Sequence, residues 1–184
     1  TKDMDLMGGL GKLMPYTAFC FLIGTMAISA LPPFNGFVSE WFTYQSLFTL
    51  SQSDDFILKL AGPIAIIMLA LTGALAALCF VKVYGISFGG APRSEKAANA
   101  REVPKPMVIA MAVLALCCVL LGVGASVVTP IIAKISTALA HSEPLMLAQN
   151  GVVVAQAEPH TVLSTPMVTI MLLAFFFLPF SFYA

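Results

Sequence analysis

The stretch 31-LPPFNGFVSEWFTY-44 decides how this chain is read: the double proline Pro32-Pro33 interrupts an apolar run, and a lone acid, Glu40, follows within two helical turns. Two successive prolines remove two backbone donors, so a regular helix does not continue through them. Residues 13–31 before the break carry no charge, and Asn35 after it is a fair N-cap for a new helix from about Gly36 to Leu50. A carboxylate inside such a segment costs about 2.5 to 3.5 kcal/mol on insertion scales, so it is rarely there without a partner or a task. Thr43 and Tyr44, three and four residues beyond Glu40, share its helical face and place two hydroxyls where they can support the carboxyl.

The rest of the chain supplies the solvent for that acid. Of 184 residues 59% are hydrophobic and only 10% charged, against roughly 25% charged in soluble domains, and the mean hydropathy is +0.95. This is the composition of an integral membrane protein. Nine basic and nine acidic residues cancel, which removes the case for nucleic acid or for long-range steering of an anion. Cys20, Cys79, Cys117 and Cys118 sit in apolar runs without C-x-x-C spacing. No phosphate-cradling glycine pattern, nucleophile elbow, haem or zinc spacing occurs, so the residues do not describe a free-standing enzyme. The start at Thr1 and the uncharged end FFFLPFSFYA predict a piece of a longer polypeptide.

The expected fold is all-α and polytopic, one transmembrane domain over residues 1–184 with four to five spans at about 13–31, 34–50, 60–81, 107–129 and 161–184, the second broken after Pro32-Pro33. Gly73 and Ala77, four apart in the third span, mark a face that another helix can approach closely. Pro130 is expected to close the fourth span. Beyond it Ile131, Ile132, Ile135 and Leu139 oppose Lys134, Thr137 and His141, a pattern suited to a helix on the membrane surface. Asn150-Gly151 between two apolar runs predicts a small extracytoplasmic β-hairpin. By the positive-inside rule the loop with Arg93, Lys96, Arg101 and Lys105 is cytoplasmic; alternation across these spans then leaves Lys2, Lys12, Lys59 and Lys134 outside, against the rule.

Two residues are candidates for proton chemistry. Glu40 is either a titratable group held inside the bilayer by a broken helix or a solvated acid at the headgroup boundary. Lys82, at the end of the third span, is either a buried relay or a lysine that snorkels to the interface on its four-carbon stem. His141 and His160 fall in loop or interfacial segments, where a histidine is ordinarily a solvated residue.

GGLGKLMPYTAFCFLIGTMAISALPPFNGFVSEW resembles the eleventh helix and the start of the broken twelfth helix of the antiporter-like proton-translocating membrane subunits, a family shared by respiratory complex I, the multisubunit sodium/proton antiporters and the membrane-bound hydrogenases. The pattern G-L, M-P, apolar span, A-L-P-P, G-F, S-E carries the likeness. Glu40 matches the position where the family carries a buried lysine or glutamate at the end of its chain of ionisable groups. That glutamate and CFVKVYGISFGGAPRSEKA after the third span point to the hydrogenase branch, of formate hydrogenlyase and hydrogenase-4 type. The resemblance implies a multi-pass subunit of the bacterial cytoplasmic (inner) membrane that binds no cofactor itself. It implies other membrane subunits and a peripheral hydrogenase arm as partners, with nickel-iron and iron-sulfur centres there. Protons would move along buried Lys, Glu and His residues, of which this chain supplies Glu40 and, as a lesser candidate, Lys82. Alternatives are a subunit of a cation/proton antiporter or of a complex I-type NADH dehydrogenase, and a purely structural scaffold.

Overall fold

The computed structural model describes residues 3–140, 154–155, 162–163, 167, 170–171 and 174. A 3-10 turn, Met4–Leu6, leads into α1 (Leu10–Leu13) and α2 (Pro15–Ile28), followed by α3 (Asn35–Ser51), α4 (Phe56–Phe88), the short α5 (Glu95–Ala98), α6 (Lys105–Val123) and α7 (Ala125–Ala140). β1 (Val154–Ala155) pairs antiparallel with β2 (Val162–Leu163), Val154 opposite Leu163. The Asn150-Gly151 turn expected from sequence lies outside the described residues, as does most of the 161–184 span, whose beginning falls in β2.

α4 orders the other helices. Its 33 residues make a rod of about 50 Å, started by Asp55, whose side chain accepts from the Ile57 N–H at 3.1 Å. The expected span at 60–81 is thus extended at both ends. Against this rod the chain runs in one continuous antiparallel register. Phe21 of α2 packs on Tyr84 and Phe88, with ring centroids 6.4 and 5.4 Å away. Glu40 of α3 lies over Gly73, and the end of α3, at Leu47 and Ser51, closes on Gly62. α2 and α3 therefore run in the same direction, end to end, along one neighbour. With 14 and 17 residues each is short of the 20 or so needed to cross a bilayer. The two spans expected at 13–31 and 34–50, read as an eleventh helix and the start of a twelfth, are the two halves of one broken column. A proline break looks the same in sequence whether the chain turns back or carries on.

α2 closes on a Schellman arrangement, with Leu31 N–H donating to Met26 O at 3.1 Å and Ala30 N–H to Ala27 O at 3.2 Å. Its left-handed position is Ala30, at φ +51, where glycine is usual and alanine costs about 1–2 kcal/mol. The cis Pro32-Pro33 bond follows, and α3 starts at Asn35. α6 runs parallel to α2 and meets the break with Gly122, where an added Cβ would collide with the Pro33 carbonyl and the Phe34 backbone. Gly124 interrupts the helix there and Pro130 sits inside α7. The helix begun at Lys105 ends at Val123, one residue before α7, so the interruption expected at Pro130 falls at Gly124.

The interior is built from small residues. The buried positions include Ala18, Ala27, Ala115 and Ala125, while Phe56, Leu78, Leu114 and Leu139 are two-thirds or more exposed. Close approach through Ala and Gly with large apolar residues facing outward is the packing of helices in lipid, where surface Leu and Phe are already solvated.

At the other end of α2, two segments far apart in sequence lock together. Gly9 N–H donates to Gly89 O at 2.8 Å and the Ser94 hydroxyl to Leu6 O at 2.7 Å. Gly9, at φ +64, lies against Pro92, and no Cβ fits there. Lys12, Arg93, Lys96, Arg101 and Lys105 share this end, all exposed, while Lys59 is at the opposite end of α4. Counting one broken column as two spans had thus put Lys12 on the end opposite to Arg93, whereas Lys59 stays opposite in either reading.

Candidate functional site in the broken helix

The break gives the site its shape. An open cleft of about 390 Å³ lies beside it, and its wall includes Gly24 and Ala30 from the α2 side, Asn35, Ser39 and Glu40 from α3, and Cys118 from α6. Gly36 lets α3 come this close, since a Cβ there would collide with the Ala27 carbonyl oxygen.

Glu40 is half-buried and its carboxylate makes no hydrogen bond or ion pair with any described residue. An ideal Cβ built on Gly73 would stand 3.7 and 3.8 Å from its two oxygens, so the expected close approach at Gly73 is filled by a carboxylate. Depth follows from α4: Gly73 is nine residues from Lys82 and fourteen from Lys59, about 13 and 21 Å along the helix.

The other candidates are placed differently. Lys82 is exposed within α4 and is not brought to Glu40. Thr43 does not serve the carboxyl, because its hydroxyl donates to Ser39 O at 2.9 Å, the usual bond of a helical threonine to the preceding turn. Tyr44 is half-buried and makes no hydrogen bond to Glu40. Pro32 and Pro33 form the linker, with α6 against the Pro33 carbonyl. His141 and His160 lie outside the described residues.

Two features were not visible in sequence. Asn35 is not the N-cap of α3; that position is Phe34. Asn35 is the first helical residue, and its Oδ1 is buried without a hydrogen-bond partner. Glu102, from the loop before α6, caps α2. Its carboxylate accepts from the Tyr16 and Thr17 N–H groups at 3.0 and 3.4 Å and from the Thr17 hydroxyl at 2.5 Å. The lack of a side-chain cap at Met14 was the one hint, and a separation of 85 residues hid the partner.

The Thr17 hydroxyl, followed by the N–H groups of Val103, Tyr16 and Thr17, holds the Glu102 carboxyl below its ordinary pKa of 4.5 against an opposing effect of burial. A lowered folded pKa contributes stability above the unfolded value and loses it as pH falls through the folded one. The complex is therefore expected to lose thermal stability on acidification below about pH 4.5, and Glu102→Gln to be less stable at neutral pH with that acid step reduced. Melting curves of the two proteins across pH check this.

Comparison with known proteins supplies the context. The family described as NADH:quinone oxidoreductase/Mrp antiporter, transmembrane, matches residues 1–69, which include the whole broken column. Hydrogenase-4 component B of Escherichia coli (strain K12) is 50% identical over 97% of this chain and 26% of its own length. The chain belongs to the antiporter-like membrane subunit family. Formate hydrogenlyase subunit 3 of the same organism is 43% identical over 97% of the chain and 27% of its own length. The chain thus spans about a quarter of these relatives. The membrane-bound sulfane sulfur reductase, an archaeal respiratory membrane complex, contains a chain that superposes with a TM-score of 0.73 over 98% of this chain and 27% of that one, at 19% identity, a likeness of fold.

Proposed function

We propose that this chain is part of the membrane subunit of a proton-translocating hydrogenase of formate hydrogenlyase or hydrogenase-4 type, in the bacterial inner membrane, and that Glu40 is a proton-carrying group of its path. The observation that carries the reading is depth: Glu40 meets α4 about 13 Å inside the level of Lys82. A carboxylate there is retained for a task and not as a headgroup-level acid. Lys82, exposed near the end of the apolar stretch, fits a snorkelling anchor and is the lesser candidate. Nickel-iron and iron-sulfur centres would reside in a peripheral arm. Glu40→Gln in the whole complex, with proton movement measured against electron transfer, tests the role. Co-purification of nickel-iron and iron-sulfur subunits separates the hydrogenase from a cation/proton antiporter.

The broken column also bears on the orientation. With Lys12 on the same end as Arg93, Lys96, Arg101 and Lys105, the positive-inside rule favours a cytoplasmic location for that end. A cysteine at Asn99 is expected to be protected from an impermeant thiol reagent in intact cells, and one at Ser53 to be labelled. The reverse pattern would overturn the orientation.

A further inference from the structure

We propose that the groove bounded by α2, α4 and α6 seats one acyl chain of an anionic phospholipid, with its phosphate among Lys12, Arg101 and Lys105. The groove holds about 310 Å³, and its walls include Phe21, Phe80, Met111 and Leu114. Two hydroxyls also line it, but neither has a hydrogen to offer a guest: Thr17 donates to Glu102 at 2.5 Å and Thr25 to Leu22 O at 2.7 Å. What remains is hydrocarbon and the weakly polar thiols of Cys20 and Cys118, a surface that favours an alkyl chain and leaves a polar ligand unpaired. The length fits too. From Thr17 to Ile28 is eleven residues, about 16 Å of helix, against about 15 Å for one leaflet of a 30 Å hydrocarbon core.

The charge lies at the head of the groove. Glu102, bound to Thr17, brings the segment before α6 to the mouth; Arg101 and Lys105 flank Glu102 in sequence, and Lys12 precedes Thr17 by five residues. All three are exposed, and none forms an ion pair with a described residue. The Glu102 carboxylate is committed to the Thr17 hydroxyl and to the N–H groups of Tyr16, Thr17 and Val103, where the N-terminal end of α2 offsets its charge. Asp3, Asp5 and Glu95 lie with Arg93 and Lys96 around the Leu6–Ser94 contact. A phosphodiester at the mouth therefore meets three unpaired cations. Its tail runs toward the break, whose cleft shares Gly24, Ile28 and Cys118 with the groove.

To test the site, the intact complex, stripped of bound lipid in detergent, is exposed to limiting phosphatidylglycerol or phosphatidylcholine carrying the same photoactivatable group in one acyl chain. Labelled residues are mapped by mass spectrometry. Label on residues 17–28 and 111–118, normalised to label on the whole complex, is expected to be about tenfold higher with phosphatidylglycerol. Arg101→Gln and Lys105→Gln together should bring the ratio toward one without removing the label. Gly24→Leu fills the groove at a position where an added Cβ meets nothing within 4 Å, and should cut the label from both lipids. Co-purified subunits check assembly, and the charge variant decides alone if Gly24→Leu does not assemble. Equal labelling by the two lipids in wild type, no label on these walls because another helix covers them, a preference that survives the double substitution, or full label in assembled Gly24→Leu overturns the site.

Discussion

Glu40→Gln in the assembled complex is expected to lower proton translocation by about a hundredfold, the ordinary worth of a positioned proton-transfer group. Glutamine keeps the shape of the side chain over Gly73 and removes only the ability to take up and release a proton. Electron transfer to an artificial acceptor in the proposed peripheral arm should be unchanged, so the loss appears in protons moved per electron. Acidification measured in sealed vesicles, alongside hydrogen evolution or uptake, separates the two. Wild-type stoichiometry in fully assembled mutant would remove Glu40 from the path.

The second large effect is structural. Gly36→Ala places a methyl group into the Ala27 carbonyl oxygen, backbone against backbone, so neither side can yield by changing rotamer. Overpacking of this kind costs about 1–3 kcal/mol, and more where the surroundings are rigid. We expect a sharp fall in the yield of assembled complex and a lower melting temperature. Gly24→Ala, where an added Cβ meets nothing within 4 Å, should be nearly silent. Equal behaviour of the two variants would show that the contact between the half-helices does not matter.

Much of this site is legible in the sequence, because its ingredients are local. Pro32-Pro33 announces a break by chemistry alone, and an acid eight residues beyond Pro32 in an apolar run is an energetic exception that needs no neighbours to be noticed. What escaped depends on residues distant in the chain. Whether the two apolar segments fold back or continue is decided by which parts of α4 they touch, and Phe21, Glu40 and Leu47 find their partners 63 to 67, 33 and 15 residues away. Gly124, and not Pro130, interrupts the helix after α6, two residues beyond Gly122, whose missing Cβ lets the helix reach the Pro33 carbonyl. Asn35 looked like a cap since its residue type favours one, yet the helix begins at Asn35 itself and the cap position falls on Phe34. Thr43 was expected to face the carboxyl, but its own preceding turn offered a nearer acceptor.

The uninterrupted α4 changes what a broken helix can do. A chain severed at mid-length would ordinarily be a joint, free to bend. Here one continuous helix, whose internal proline, Pro63, lies beyond the level of Glu40 and beside the contact at Gly62, is bound to both pieces, near Phe21 on one side of the gap and at Glu40 and Leu47 on the other, and acts on them as a splint acts on a fracture. The two pieces stay aligned while the gap stays open, so the aperture beside Glu40 is standing architecture.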